Sequence, residues 1–439
     1  MSRKDNMSLS VLILAAGKGS RMNSQHPKVL HEVGNVPMIY YPINLAKSIK
    51  AQRISVVVGK NSSQLRKSIK GFQAEVEILE QSEQLGTGHA VLCTKNHFAH
   101  QSGDLLILYG DCPLISDESI KKLIELRKNG ADLAVLGFHS VNPRNYGRLI
   151  LDVTGDLEKI VEATDATTEE QAIKFCNSGI MIADTNLFFS FLEKVSNKNA
   201  SGEFYLTDLV TLVRQENMVV QTASCPENEA HGVNDRLDLA KVEECFQNLK
   251  RAEVMRKGTT LIDPSTVYFS YDTELGADTV VEPNIIFGPA VRVRENVRIR
   301  SFSYLEGCLV KPDVIIGPFA RIRPETTLDE GVRVGNFVEI KKSKLNKNVK
   351  ANHLAYIGDA SIGAQTNVGA GTIFCNYDGT SKNSIEVGEN SFIGSNVSLV
   401  APLKIGDKVI IGAGSTITDN VSKETLALGR SRQINKPKK

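Results

Sequence analysis

Small and cationic residues crowd into one short loop near the amino terminus. Leu14-Ala15-Ala16-Gly17-Lys18-Gly19-Ser20-Arg21 lies at the end of an apolar run that begins at Leu9. Side chains this small let backbone N–H groups approach a base or phosphates closely. Arg21 and Lys28 bring two positive charges to the same loop, and Pro27 helps fix the backbone that carries Lys28. The spacing is not that of a Walker loop, and Met22 stands where a dinucleotide fingerprint would need its third glycine. On residue types alone a plain tight turn stays open. Asp111 follows a second apolar run and offers an oxygen ligand to a hard divalent cation, with a strand-end turn as the plain alternative.

A second group of reactive residues lies in a different kind of sequence. Large apolar residues fall six apart at Leu275, Val281, Phe287, Val293, Ile299 and Leu305. The beat restarts at Val310 and runs through Ile316, Ile322, Leu328, Val334 and Ile340, then returns from Val387 to Ile417. At 41% apolar usage six consecutive hits have a chance probability of about 0.005, so three such runs signal a repeat. A period of six fits neither a helix nor a plain strand. It fits a parallel β-helix in which each short strand turns one large side chain inward. The beat breaks between Lys341 and Glu386, and this break contains His353, the only histidine after His231. The spacing predicts that the chain leaves the repeat at Asn352–Tyr356, which places His353 in a polar insertion. A histidine near its ordinary pKa can accept the proton that an amine loses when it attacks a thioester, which makes His353 a candidate general base. Glu339 could orient it. Arg323 and Lys341 fall on neighbouring coils, and two cations there suit a sugar phosphate. A structural histidine on an inert scaffold is the plain alternative, since fold alone does not give function.

These residues need two frameworks. A chain of 439 residues is too long for one ordinary core. Residues 9–235 alternate buried runs (LSVLILAAG, RISVVVG, DLLILYGD) with amphipathic stretches such as PMIYYPINLAKSIK, the grammar of a mostly parallel sheet covered by helices. Gly17 and Asp111 fall at carboxyl ends of strands, where such sheets bind ligands. Residues 236–257 read as one helix roughly 33 Å long, with Leu239, Val242, Phe246 and Leu249 on one face, Asp235 as cap and Gly258 as stop. The expected division is therefore 1–236, a linker helix 237–257, and a repeat domain 258–439. A net charge of +2 gives no electrostatic case for nucleic acid or a membrane surface. No apolar run approaches the ~18 residues that would span a bilayer. The first eight residues lack the apolar core of a signal peptide and read as unstructured. Seven cysteines without a Cys-x-x-Cys pair argue against disulfides or zinc and for a reducing cytoplasm.

The strings LAAGKGSRM (14–22), HPKVL (26–30), EQLGTGHA (83–90), YGDCPL (109–114), NYGRL (145–149) and HGVNDR (231–236) together resemble sugar-phosphate nucleotidylyltransferases. In this order they are similar to the uridylyltransferase half of the bifunctional bacterial enzymes that make UDP-N-acetylglucosamine. Ser20, where Thr is common, and Cys112 beside Asp111 are small departures. GPFARIRP (317–324), GNFVEIKKS (335–343), NHLAY (352–356) and NVGAGTIFCNYDG (367–379) resemble the glucosamine-1-phosphate acetyltransferase half of the same enzymes.

The resemblance implies a Rossmann-like α/β nucleotidyltransferase domain, a long connecting helix, and a left-handed parallel β-helix that assembles as a homotrimer with shared acetyl sites. Handedness rests on the resemblance alone, because right-handed crossovers are the rule for parallel strands. It implies that Leu14, Ala15, Ala16, Gly17, Gln81, Gly86 and Thr87 contact UTP, and that Tyr109, Gly110, Gly147, Glu162 and Asn177 line the nucleotide-sugar site. Arg21 and Lys28 act on the phosphates, and Asp111 and Asn234 hold Mg²⁺. Arg323, Lys341, Tyr356 and Asn367 take the sugar phosphate. Ala370, Asn376, Tyr377, Ser395, Ala413 and Arg430 take acetyl-coenzyme A. The substrates implied are UTP, glucosamine-1-phosphate, N-acetylglucosamine-1-phosphate and acetyl-coenzyme A, for peptidoglycan and lipopolysaccharide synthesis. The competing expectation is a nucleotidylyltransferase whose β-helix is only structural or regulatory.

Overall fold

The computed structural model describes residues 8–71, 75–99 and 101–438. Of the first eight residues, expected to be unstructured, all but Ser8 lie outside the described residues. The chain divides into two compact units, residues 1–246 and 247–439. The predicted helix forms as Arg236–Arg256, so its first half belongs to one unit and its second half to the other. Asp235 caps it as expected, its Oδ1 accepting from Leu237 and Asp238 N–H at 2.9 Å each. Leu249, expected on the apolar face, is instead 47% exposed. Two buried polar side chains serve the second half. The amide of Gln247 pairs with both backbone groups of Phe269, and Arg251 donates to Val267 O at 3.0 Å. These bonds satisfy strand-end backbone that would otherwise stay unpaired at the first coil.

In the first unit the sheet runs Val220–Cys225, Leu133–His139, Phe175–Asp184, Asp104–Tyr109, Leu9–Ala15, Arg53–Gly59, Glu77–Gln81. Every pairing along this path is parallel except those of Phe175–Asp184, which is antiparallel to both neighbours. Alternation along Leu9–Ala15 sends Leu12 and Leu14 to a core shared with Phe98 and Phe188, and Val11 and Ile13 to one shared with Ile39, Ile43 and Ile120. Helices such as Tyr40–Ser48 and Asp117–Lys128 cover the sheet. The latter is capped by Ser116 Oγ, with acids in its first turn and bases in its last.

The second unit carries three parallel sheets of ten, nine and eight strands among the described residues. Successive coils stack like on like. Val281, Ile299, Ile316, Val334, Ala351, Val368, Ile393 and Ile411 form one interior column. Corners recur through left-handed residues, as at Asp278, Asn284, Ala290, Asn296 and Phe302, with φ between 56° and 63°. The architecture is consistent with a left-handed β-helix.

The repeat continues through most of the expected break between Lys341 and Glu386. Leu345, Ala351, Ile357, Ile362, Val368 and Phe374 continue the buried series. Five-residue steps, from Ile340 to Leu345 and from Ile357 to Ile362, shift its phase, and Ala351 is too small to register as a core residue. The excursion is residues 376–384, which lengthens one coil to 25 residues between the partners Asn367 and Phe392. His353 is therefore no insertion residue. It ends the regular strand Lys350–His353. This strand lies so close to Arg333–Asn336 that a Cβ on Gly335 would sit 1.8 Å from Asn352 O. Gly335→Ala should cost about 1–3 kcal/mol, read as a lower thermal midpoint with uridylyl transfer at 25 °C unchanged.

Candidate active sites

The first site opens at the carboxyl ends of Leu9–Ala15 and Asp104–Tyr109, in a cavity of about 460 Å³. Its walls include Leu14 through Arg21, Lys28, Gln81, Gly86, Thr87, Tyr109, Asp111 and Asn234. Gly19, at φ 61°, allows Lys28 to pack against the loop, since a Cβ there would meet Lys28 Cβ at 2.7 Å. Gln81 is buried and donates to Gly86 O at 3.2 Å, which ties the two ends of that loop together. Gln84, which residue types alone did not single out, donates to Ala16 O.

Asp111 and Asn234 are distant in sequence, yet Val233 N–H donates to Asp111 O at 2.9 Å and sets Asn234 beside it. Lys28 forms an ion pair with Asp111 Oδ2, and Arg21 Nη2 donates to Asn234 Oδ1 at 3.0 Å. Each cation expected to act on phosphate is thus parked on a group expected to act on metal. A carboxylate and an amide oxygen on one wall are the donor chemistry that a hard cation takes, with water and phosphate oxygens completing its shell.

Farther along, Asn177 N–H donates to Gly147 O at 2.8 Å. A Cβ on Gly147 would approach Glu162 Oε2 to 3.4 Å and Asn177 Cβ to 3.6 Å, so these three residues form one surface. Gly110 donates its N–H to Leu14 O at 2.9 Å. Burial raises the pKa of Glu162, partly offset by the hydroxyl of Thr207, which donates to Oε1 at 2.9 Å. Burial likewise raises that of the Tyr109 phenol, with the Glu162 and Asp111 charges adding to the effect. A neutral phenol and a carboxyl held by a hydroxyl suit a sugar better than a phosphate.

On the second unit the expected residues fall into columns that only coil register reveals. Asn336, His353, Ala370, Ser395 and Ala413 each precede a left-handed corner residue: Phe337, Leu354, Gly371, Asn396 and Gly414. Backbone bonds stack this edge, with Leu354 N–H donating to Asn336 O, Asn396 to Ala370 O and Gly414 to Ser395 O, at 2.8 to 3.0 Å. Arg430 reaches the same edge, its Cδ about 4.0 Å from where a Cβ on Gly414 would lie. The corner changes character along its length. Phe302, Phe319, Phe337 and Leu354 occupy it first, although bulky residues disfavour positive φ. Their exposures are 55%, 46%, 56% and 57%, and the three rings stack at 5.0 and 5.2 Å. Beyond Leu354 the corner is Gly or Asn, which leaves the backbone accessible to a slender ligand.

The cations occupy the other edge of the adjoining sheet. Arg323 N–H donates to Ile340 O, so Arg323 and Lys341 are on consecutive rungs. Lys382, which residue types did not single out, joins them from the 376–384 excursion. Its pKa is lowered chiefly by the neighbouring Lys341 ammonium. Asn376 contacts Asp359 and, at 3.5 Å, Tyr356 Oη. Tyr377 pairs with Lys382 across the excursion, and its hydroxyl donates to Gly379 O at 2.6 Å. Asn367 lies on the preceding sheet, in register with Lys350 and Phe392, and joins neither edge. Glu339 does not orient His353 within one chain. Arg323 holds its carboxylate at 2.8 Å, and the partner of His353 is Asn336.

Residues 11–170 match the MobA-like NTP transferase domain family, and residues 384–419 match the bacterial transferase hexapeptide family. The chain is 48% identical over 431 residues to the bifunctional protein GlmU of Ruegeria sp. strain TM1040, covering 98% of this chain and 96% of that one. It is 46% identical over 429 residues to the GlmU protein of Zymomonas mobilis, covering 97% and 95%. With that of Bartonella quintana the identity is 45% over 425 residues, again covering 97% and 95%. Identity at this level along nearly the whole of each chain encompasses both sites and the helix that joins their sequences, and the chain belongs to the bifunctional GlmU family.

Proposed function

We propose that this protein acetylates glucosamine-1-phosphate with acetyl-coenzyme A through residues 258–439 and then couples the product to UTP through residues 1–236, giving UDP-N-acetylglucosamine and pyrophosphate. The observation that carries this reading is the pairing of two built sites in one chain. One holds cations against metal-type oxygens; the other has a histidine on an open corner edge and a cationic cluster on the opposite edge of the adjoining sheet.

In the acetyl step, His353 takes a proton as the sugar amine attacks the thioester carbonyl. The C–N bond forms, the C–S bond breaks, and the thiolate leaves to be protonated. Arg323, Lys341 and Lys382 hold the phosphate, with Tyr356 beside them. The Gly and Asn corners next to Ala370, Ser395 and Ala413 leave room for the pantetheine arm, and Arg430 reaches toward the cofactor. In the uridylyl step, a sugar-phosphate oxygen attacks the α-phosphorus of UTP and pyrophosphate departs. Arg21 and Lys28 turn from Asn234 and Asp111 to the phosphates, where charge builds in the transition state. Asp111 and Asn234 hold Mg²⁺, which when bound neutralises phosphate charge. Gly147, Glu162 and Asn177 orient the sugar.

The protein works as a homotrimer in this reading. His353 stands beside an exposed apolar ladder, Phe302, Phe319, Phe337 and Leu354, that a second copy would cover. The opposite placement of the cation and histidine edges on one sheet also favours a site completed by a neighbour. All seven cysteines are free, and no described helix is long and apolar enough to cross a membrane, which suits work in the cytoplasm.

Lys382→Ala tests the sugar-phosphate cluster. Loss of one charged hydrogen-bond donor should raise KM for glucosamine-1-phosphate by about tenfold and leave KM for acetyl-coenzyme A and uridylyl transfer unchanged. An unchanged KM for the sugar phosphate would remove Lys382 from the site.

A further inference from the structure

The strand that carries His353 and the one stacked against it are longer than their neighbours on the same sheet. Arg333–Asn336 and Lys350–His353 each run four residues, whereas Ile315–Ile316 and Asn367–Val368 on either side run two. The extra length adds one rung, Asn336 against His353. Gly335 makes this approach possible, because any Cβ there would strike Asn352 O.

The rung is tied twice. Leu354 N–H donates to the Asn336 backbone carbonyl at 3.0 Å, and Asn336 Oδ1 lies 2.9 Å from His353 Nδ1. A carbonyl oxygen only accepts, so Nδ1 must carry the hydrogen. In the neutral ring Nε2 then presents its lone pair, and among the described residues it has no hydrogen-bond partner.

We infer that Asn336 is a positioning residue for acetyl transfer: by accepting from Nδ1–H it fixes His353 in the tautomer and orientation in which Nε2 receives the proton of the attacking amine. This rests on His353 being the base. The choice of an amide has a physical reason. A carboxylate at this position would favour the protonated ring and leave less free base at neutral pH, whereas an amide orients the ring without adding charge. The nearby charged groups do not supply a carboxylate. Arg333 and Lys350 begin the same two strands, Ile315–Ile316 and Asn367–Val368 are uncharged, and on the adjoining sheet Glu339 is engaged by Arg323 at 2.8 Å and Arg321 at 3.9 Å.

The test is acetyl transfer against pH for wild type, Asn336→Leu, Asn336→Asp and His353→Ala, with uridylyl transfer and the thermal midpoint recorded for each. Asn336→Leu should lower kcat for acetyl transfer by about 10- to 100-fold with both KM values unchanged. Asn336→Asp keeps the acceptor. It should retain kcat at its optimum within about threefold and move the acidic limb of kcat/KM upward by about one pH unit. A Leu variant within twofold of wild type, or an Asp variant whose limb does not move, would overturn the inference. Should Asn336→Leu fail to fold, the Asp variant alone decides. Survival of acetyl transfer in His353→Ala would instead overturn the assignment of the base.

Discussion

His353→Ala is expected to lower acetyl transfer by about 10²- to 10⁴-fold, the usual contribution of a positioned general base, while uridylyl transfer stays at the wild-type rate. The attacking amine must lose its proton as the C–N bond forms. At the corner edge formed by Asn336, His353, Ala370, Ser395 and Ala413, His353 is the only side chain that carries a basic ring nitrogen. The imidazole is exposed on that edge and carries no part of the buried interior column, so its removal leaves the stacked core of Val334, Ala351 and Val368 intact. The check is coenzyme A thiol release with glucosamine-1-phosphate, alongside pyrophosphate release from UTP. A drop of only a few-fold would make His353 a positioning group and require another base.

Asp111→Ala is expected to do the converse. It removes one of two oxygen donors proposed for Mg²⁺ and also the partner of Lys28. A loss of about 10³-fold in uridylyl transfer corresponds to ~4 kcal/mol of transition-state stabilisation, within reach of a metal that neutralises phosphate charge. Acetyl transfer should be untouched, because none of the residues proposed for it belongs to the first unit. Titrating Mn²⁺ in the presence of UTP provides a readout besides turnover, and binding should weaken in the variant. Near-wild-type uridylyl transfer would remove Asp111 from the metal site.

The two halves differed in how plainly they could be read. The βαβ half was legible because Leu9–Ala15, Arg53–Gly59 and Asp104–Tyr109 are buried along nearly their whole length and read as unbroken apolar runs. The β-helix was legible because one core residue in six is a strong signal. That signal fails around His353, the proposed base. Ala351 is a small core residue, and the five-residue steps at Leu345 and Ile362 put the count out of phase, so a regular strand looks like an insertion in the sequence. Asn336 carries no sequence signal for a related reason. Its partner is 17 residues away, and only coil register brings the two together. Lys382 is one lysine among many until the excursion folds it beside Lys341. Leu249 shows the opposite error, in which helical spacing was right but the buried contacts of the second half were polar, through Gln247 and Arg251.

The central claim is that one polypeptide performs both steps. The most direct measurement supplies the purified protein with glucosamine-1-phosphate, acetyl-labelled acetyl-coenzyme A, UTP and Mg²⁺, and follows label into UDP-N-acetylglucosamine together with thiol and pyrophosphate release. The account predicts labelled nucleotide sugar, thiol release only when the amino sugar is present, and one thiol for each pyrophosphate at completion. Absence of substrate-dependent thiol release, from protein that still makes UDP-N-acetylglucosamine from N-acetylglucosamine-1-phosphate and UTP, would contradict it and leave the β-helix as a scaffold.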